Sequence, residues 1–141
     1  MDLRYLYVGS SDTERDVAAW LAVPGARMRW RFRHFGADVA AIDVGAPPTV
    51  LLADHRSAGS VLPIYAVAQL DGVLDALERH GWTIEARAIG TPEGPAAVLH
   101  DDSGNHIALL RVDRPAAMEN AYASPDNLHA VRPDSPPPRV D

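Results

Sequence analysis

The chain has 141 residues, the usual size of a single domain, and its composition excludes several classes of chemistry. Its 13 basic and 19 acidic residues give a net charge of −6, so it has no basic footprint for a nucleic acid. It has no cysteine and its basic residues are all arginine, which excludes disulfides, thiolate metal sites and lysine Schiff bases. Because it shows neither a signal-like start nor a long apolar run, we expect no membrane association and a cytoplasmic location.

The first half of the chain predicts the order β-α-β-β-β. Residues 3–8 are rich in strand formers and stop at a Gly-Ser-Ser turn. Ser11 and Glu14 have the spacing of a capping box, which predicts a helix that ends before Pro24. Three more strands follow, separated by turns rich in glycine and proline, at residues 27–35, 39–44 and 49–53.

The strand predicted at residues 27–35 has the clearest period-two pattern in the chain. One side carries the arginines Arg27, Arg29, Arg31 and Arg33. The other side carries Met28, Trp30, Phe32 and His34. We interpret the arginines as a solvated face balanced by acidic residues of neighbouring strands, with recognition of a carboxylate or phosphate as the alternative. For Trp30 and Phe32, packing in the core is favoured over lining a binding site.

The second half of the chain repeats the order of the first. Its predicted helix has Asp71 as N-cap and Gly81 at its C-terminal end. Its predicted strands are separated by turn-forming segments and lie at residues 61–67, 83–89, 96–100 and 106–112. Val67 and Asp71 recur at the same offset from Val8 and Asp12, which indicates two tandem copies of one motif.

We therefore predict an α+β fold of two tandem βαβββ modules, at about residues 3–54 and 61–113, that form one domain over residues 1–114. Residues 115–141 lose this periodicity and end in a proline-rich sequence, so we expect a flexible extension. The apolar side chains of Met118, Tyr122 and Leu128 leave open that this extension docks on the body or on a partner subunit.

Two segments of the chain resemble a known family. The Asp-Asp-Ser-Gly-Asn-His-Ile-Ala-Leu sequence of residues 101–109 is similar to the turn and last strand of the vicinal-oxygen-chelate superfamily, which includes glyoxalases, bleomycin-resistance proteins and dioxygenases. Val-Gly-Ser-Ser-Asp at residues 8–12 is similar to its first module. The resemblance covers roughly residues 3–113, and it implies that the modules form a cup-shaped mixed sheet with a site on the concave face.

The resemblance also assigns the positions at which metal-dependent members carry His or Glu ligands. In this chain they fall on Leu3 or Tyr5 in the first strand, near Leu52 in the fourth, on Leu62 in the fifth and on Ala108 in the eighth. None is an ordinary ligand of a hard divalent metal, although the phenol of Tyr5 is a weak one. We therefore expect neither a metal nor another cofactor in the cup, because an apolar wall cannot offset the dehydration of a divalent cation.

The resemblance implies a cup lined by residues of the first, fifth and eighth strands, namely Tyr5, Tyr7, Leu62, Ile64, His106 and Ala108. Among these, His106 is the candidate for acid–base catalysis, and the alternative is that it caps a turn or faces solvent. The favoured function is metal-independent binding of a small molecule, of which drug-sequestering and resistance proteins are one type. The alternative is a lyase, isomerase or dioxygenase that is metal-free or uses non-standard metal ligands. A third possibility is an interaction module whose cup is filled by its own side chains.

We expect the partner to be a small apolar or aromatic molecule, because the predicted lining has few polar groups. The resemblance also implies a homodimer, since such modules often pair edge to edge. The sequence itself shows only that the exposed strand edges must be covered, and the segment after residue 114 is one candidate for this.

Overall fold

A computed structural model of the chain describes residues 1–34 and 36–133. It has eight strands and two helices in the predicted α+β order, followed by a third helix in the segment for which the sequence predicted none. The strands are β1 (Asp2–Gly9), β2 (Arg27–His34), β3 (Ala37–Asp43), β4 (Thr49–Ala53), β5 (Val61–Ala66), β6 (Thr83–Gly90), β7 (Pro95–His100) and β8 (His106–Leu110). The helices are α1 (Thr13–Leu21), α2 (Leu70–Arg79) and α3 (Ala117–Ala123). Within the described ranges, no helix is long and apolar enough to cross a membrane.

All eight strands form one mixed sheet in the order β2-β3-β4-β1-β5-β8-β7-β6. Each module has the same internal pairing, because β1 is parallel to β4 and β5 is parallel to β8. The antiparallel pairing of β1 with β5 joins the two modules at the centre of the sheet. The prediction of two tandem βαβββ modules is confirmed.

One face of the sheet packs against α1 and α2. On the first module, Val17 of α1 packs with Ile42 and Leu52, which are 0% and 1% exposed. On the second, Leu74 of α2 is fully buried against β7 and β8. The opposite face carries a third apolar cluster around Tyr5, described below with the cavity that it lines.

The ends of the first two helices differ from the predicted ones. Asp12, not Ser11, is the N-cap of α1, and its side chain accepts a hydrogen bond from the backbone N–H of Arg15 at 3.1 Å. The predicted capping box was therefore wrong by one residue. Asp71 lies inside the first turn of α2, whose N-cap is Gln69, and there its negative charge is favourable to the helix dipole. Gly81 follows the C-cap residue of α2 with a φ of 95°, a conformation that suits glycine.

A bulge in β2 interrupts the regular alternation expected for this strand. The pairing with β3 shifts between Met28 and Trp30, so that Met28 packs on the α1 side whereas Trp30 and Phe32 lie on the opposite face. The expectation that Met28 shares a side with Trp30 was wrong, because an extra residue, Arg29, is accommodated at this point. Core packing of Trp30 and Phe32 is observed, and the same two rings also line a cavity.

The arginines of β2 pair with acidic side chains, but they do not form a uniformly solvated face. Arg31 is only 5% exposed and donates to both carboxylate oxygens of Asp38, at 2.9 and 2.7 Å. Arg33 also contacts Asp38, at 3.1 Å, and both arginines contact Glu14 of α1. The pairing of these arginines with acidic side chains was predicted, but the burial of Arg31 was not.

The segment after residue 114 packs on the body of the protein over its described part. Met118 and Tyr122 of α3 contact the apolar cluster around Tyr5, whereas Leu128 is 93% exposed. Beyond α3 the chain pairs with the outer edge of β2: the N–H of Arg33 donates to the carbonyl of His129, and the N–H of Val131 donates to the carbonyl of Arg31, both at 2.8 Å. Residues 134–141 of the expected flexible extension lie outside the described residues.

Candidate functional site

A cavity of about 310 Å³ lies on the face of the sheet opposite α1 and α2. Strands of both modules supply its walls, and α3 and the loop between β6 and β7 close its sides. Most of the lining is aromatic or aliphatic, including Tyr5, Tyr7, Trp30, Phe32, Ile64 and Ala108. A volume in this range suits a small organic molecule.

Four of the six side chains predicted to line the cup come together in this cavity. Tyr5 and Tyr7 lie on β1, Ile64 lies opposite Tyr5 on β5, and Ala108 lies beside Ile64 on β8. The other two lie elsewhere. Leu62 is buried at 7% exposure but is not part of the cavity wall, and His106 lies beyond the wall at the start of β8.

A buried carboxylate forms the polar part of the cavity wall. Glu93, in the loop between β6 and β7, is 5% exposed. One of its oxygens, Oε1, accepts a hydrogen bond from the hydroxyl of Tyr5, and the other, Oε2, accepts from Nε of Arg4 at 3.1 Å and also from its Nη2. Arg4 also lies over the ring of Tyr5, with its guanidinium carbon 5.1 Å from the ring centre. The three residues form an ion-paired network at one side of an otherwise apolar space.

The loop that carries Glu93 is held in place by backbone hydrogen bonds. The carbonyl of Glu93 accepts from the N–H groups of Asp113 and Arg114, at 2.8 and 2.9 Å. The next residue, Gly94, packs so closely that a Cβ there would lie 2.0 Å from the carbonyl oxygen of Arg111. Only glycine fits at this position without a shift of the backbone. The glycine therefore allows the loop to place the carboxylate in the cavity.

Both tyrosines on β1 have raised pKa values. Burial raises the pKa of Tyr5 well above its ordinary value, and the adjacent negative charge of Glu93 raises it further. Burial likewise raises the pKa of Tyr7, against the opposing effect of nearby Arg56. Both phenols are neutral at physiological pH, so they serve as hydrogen-bonding groups and not as phenolates. The hydroxyl of Tyr7 bonds to Nε2 of His55 at 2.9 Å.

The aromatic side of the cavity contains an unsatisfied donor. The rings of Trp30 and Phe32 lie 5.7 Å apart between centres, and Phe32 makes an edge contact with Tyr122 of the C-terminal segment. The indole Nε1–H of Trp30 is buried and has no hydrogen-bond partner among the residues that the structure describes. Such groups are uncommon in folded proteins, because leaving one unpaired costs about 1–3 kcal/mol.

The positions that hold metal ligands in the resembling family carry no such ligands here. Tyr5 and Ala108 line the cavity as expected. Near Leu52, the residue that faces the cavity is Leu51, whereas Leu52 faces α1. Leu51 is also aliphatic, so it does not supply a ligand.

His106 belongs to a different group of side chains. Its Nε2 lies 2.7 Å from Oε1 of Glu85 on β6, and Nδ1 of His100 on β7 lies 2.7 Å from the same oxygen. We call these three residues the rim cluster. Nδ1 of His106 contacts the carbonyl of Gly104 at 3.0 Å, as the turn-capping alternative predicts. Within residues 1–34 and 36–133, this is the one group of three or more His, Asp or Glu side chains close enough together to share a metal ion.

The sequence analysis missed Glu93 as a site residue. It lies in a Pro-Glu-Gly-Pro stretch that has the composition of an exposed turn, and nothing local to it indicates burial. Its partners, Arg4 and Tyr5, lie 89 and 88 residues earlier in the chain, so their contact with Glu93 can be recognised only once the topology is known. His100 and Glu85 were missed for the same reason, because their meeting depends on the register of β6, β7 and β8.

The fold of this chain is similar to that of several solved structures. No family model matches the chain, and no curated protein matches it in sequence. Among solved structures, a hypothetical protein BH1468 from Bacillus halodurans C-125 is 11% identical with a TM-score of 0.67, over 80% of this chain and 95% of that one. Methylmalonyl-CoA epimerase from Mycobacterium tuberculosis is 16% identical with a TM-score of 0.67, over 82% and 91%. The Streptomyces coelicolor epimerase in complex with 2-nitronate-propionyl-CoA is 13% identical with a TM-score of 0.64, over 81% and 99%.

Proposed function

Because the chain has the vicinal-oxygen-chelate, or glyoxalase-like, fold, we propose that it binds a small apolar or aromatic molecule in its cavity without a metal at the family's customary positions. The observation that carries this proposal is the cavity itself, which is open to a ligand and lined mainly by aromatic and aliphatic side chains. Burial of a ligand against such a wall supplies most of its affinity.

The polar network indicates which group the ligand carries. Since the hydroxyl of Tyr5 already donates its hydrogen to Glu93, the oxygen of Tyr5 can only accept a hydrogen bond from a ligand. The oxygens of Glu93 are acceptors as well. We therefore expect the preferred ligand to be an aromatic molecule with an N–H or O–H donor at one end.

Indole and N-methylindole form a pair of probes for this proposal, because they differ only in the replacement of the N–H hydrogen by a methyl group. Isothermal titration of the full-length protein should show that indole binds roughly 2- to 10-fold more tightly than N-methylindole. This ratio corresponds to the free energy of about one neutral hydrogen bond. The variant Ala108→Phe, which fills the cavity, should abolish binding of both probes. Ala58→Phe places the same ring on an exposed residue and serves as the control.

Two results would contradict this proposal. The first is that neither probe, nor a wider set of aromatic compounds, binds the native protein, which would favour a closed interaction module. The second is binding that Ala108→Phe leaves unchanged, which would place the ligand outside the cavity.

The buried carboxylate supports a second candidate function, that of an isomerase that moves a proton. Glu93 lies in a largely apolar cavity beside a phenol, which is an environment suited to acid–base chemistry, and several structural neighbours are methylmalonyl-CoA epimerases. We favour binding because both oxygens of Glu93 already accept hydrogen bonds from Tyr5 and Arg4.

Proton exchange distinguishes the two candidates. Methylmalonyl-CoA is incubated with the protein in deuterium oxide, and the signal of its α-proton is followed by NMR. Loss of that signal, prevented by Glu93→Gln, would establish the isomerase, because a base must remove the proton and return a deuteron. Retention of the signal would leave the binding function in place.

The proposed assembly is a homodimer. The outer edge of β6 has no partner strand in the described chain, whereas the outer edge of β2 is covered by the segment around His129. An uncovered edge is a ready site for pairing with a second copy. Light scattering coupled to size exclusion measures the mass, and a monomer at the highest soluble concentration would contradict the dimer.

A further inference from the structure

The rim cluster lies on the same face of the sheet as the cavity, just beyond its wall. His106 precedes Ala108 by two residues on β8, so both side chains point to one face, about 7 Å apart along the strand. His100 is paired with His106 across β7 and β8, and Glu85 comes from the adjacent strand β6. Three neighbouring strands therefore each contribute one potential ligand.

The distances within the cluster are close to those of a metal site. One potential ligand atom from each of Glu85, His100 and His106 lies within 4.8 Å of the other two. In a tetrahedral zinc site with bonds of about 2.0–2.1 Å, ligand atoms are separated by about 3.3 Å. The two contacts of 2.7 Å to Glu85 would need to lengthen by roughly 0.6 Å, which partly exposed side chains can accommodate.

The orientation of His106 is that of a metal ligand. The carbonyl oxygen of Gly104 can only accept, so Nδ1 of His106, 3.0 Å from that oxygen, carries a hydrogen. The other ring nitrogen, Nε2, points at a carboxylate oxygen of Glu85, 2.7 Å away. Either a proton on Nε2 or a metal ion bound between the two atoms satisfies this contact. A backbone carbonyl that fixes the other ring nitrogen is also the usual support of a histidine ligand.

The nearest charged side chains outside the cluster, among the described residues, bond to other groups. The closest acidic residue in sequence, Asp101, uses its carboxylate to bond the backbone N–H groups of Ser103 and Asn105 and the side chain of Asn105. This turn holds Asn105 and thereby fixes where β8 begins. Arg87, the basic residue nearest Glu85 on β6, is paired with Asp75 of α2.

We propose that Glu85, His100 and His106 form a binding site for a divalent transition-metal ion of the zinc type at the rim of the cavity. Two imidazoles and a carboxylate suit zinc, nickel or copper and disfavour magnesium and calcium, which prefer oxygen ligands alone. The site differs from the customary metal positions of the family, one of which falls on Ala108. Its partial exposure leaves at least one coordination position open to water or to a donor atom at the cavity mouth.

Titration of metal-stripped full-length protein with zinc chloride tests the site. We expect one zinc ion per chain and no response to magnesium chloride. His106→Ala and Glu85→Gln should each weaken zinc binding by more than about 10-fold, because even supporting residues of metal sites contribute that much. His80→Ala removes an exposed histidine on another part of the surface and should leave zinc binding unchanged.

A cobalt spectrum supplies an independent readout. Cobalt bound to the native protein should give the visible absorption of a low-coordinate site, and His100→Ala should remove it. Circular dichroism checks that each variant folds, as expected for exposed or partly exposed residues. Absence of stoichiometric zinc binding would overturn the proposal and leave a Glu85 ion pair with protonated imidazoles. Equal loss of binding in His80→Ala would also overturn it, since binding would then be nonspecific.

The cavity proposal and the metal-site proposal are tested independently of each other. The indole titrations probe the cavity and need no metal, whereas the zinc titrations need no organic ligand. Indole binding without zinc binding would remove only the rim site, and the reverse would remove only the cavity function.

Discussion

The hydroxyl of Tyr5 donates a hydrogen bond to Glu93, which lies 88 residues further along the chain. Tyr5 belongs to the first module and Glu93 to a loop of the second, so the polar part of the cavity exists only when the two modules are joined. Arg4 completes the network by pairing with the other carboxylate oxygen. The cavity with its polar wall is therefore a property of the whole sheet and not of either repeat.

Tyr5→Phe is expected to weaken indole binding and to lower the free energy of unfolding by about 1 kcal/mol, because one buried hydrogen bond is lost. Urea unfolding and isothermal titration measure the two effects. Tyr65→Phe is the matched control, since the hydroxyl of Tyr65 makes no hydrogen bond with any part of the chain that the structure describes. An equal effect of both substitutions would argue against a special role of the Tyr5 hydroxyl.

Gly94→Ala should destabilise the protein by about 2 kcal/mol or more, because the new methyl group would collide with the carbonyl of Arg111. The displacement should also move Glu93 and reduce the preference for indole over N-methylindole. Gly90→Ala adds the same methyl group where nothing lies within 4 Å, and it should change stability by less than about 0.5 kcal/mol. Similar results for the two variants in urea unfolding would contradict the close approach at Gly94.

Asp38→Asn should lower the free energy of unfolding by roughly 3 kcal/mol, because it leaves Arg31 buried without its carboxylate. The native protein should also lose stability in acid. Burial alone would raise the pKa of Asp38, but its bonds to Arg31, Thr13 and Arg33 outweigh that effect and hold the pKa below its ordinary 3.8. The stabilisation is therefore complete above about pH 5 and is lost as the pH falls below 4 through the folded-state pKa.

Thermal unfolding followed between neutral pH and pH 3 measures this acid dependence, which should be smaller in Asp38→Asn than in the native protein. Asp75→Asn breaks the exposed pair with Arg87 and should cost less than about 1 kcal/mol. If the two variants show the same acid profile, the Arg31–Asp38 pair is not its source.

Removing residues 115–133 should expose both the outer edge of β2 and the apolar contacts of Met118 and Tyr122. We expect a chain that ends at Arg114 to be less stable by about 2 kcal/mol or more than one that ends at Pro133, because two apolar side chains lose their burial. It should also associate through the uncovered edge. Urea unfolding and size exclusion test these effects, and unchanged stability and mass would contradict them.

The repeat and the succession of helices and strands along the two modules could be predicted from the sequence, because hydrophobic periodicity and turn residues are local signals. The strands of both modules appear within two residues of their predicted ends. Helix ends were less predictable: Ser11 and Asp12 are both good N-caps, and the choice of Asp12 depends on where the chain leaves β1.

The candidate site was only partly predictable, since its lining depends on sheet geometry. The resemblance indicated Tyr5 and Tyr7, which alternate along β1, but the bulge at Arg29 reversed the face of Met28 relative to Trp30. On β4 the sequence indicated a position near Leu52, and the register of the sheet determines that Leu51 faces the cavity. Glu93 could not be found, because its burial results from a loop that folds back on residues after β8.

The placement of Met118 on α3 has an evolutionary consequence. The duplicated modules supply most of the cavity, but this side chain comes from a segment that has no counterpart in the repeat. Substitutions in α3 can therefore reshape the pocket while the two halves keep the interdigitated packing that each needs to fold. In a scaffold of this kind the shape of the cavity can change through the last helix while the residues of both repeats stay as they are.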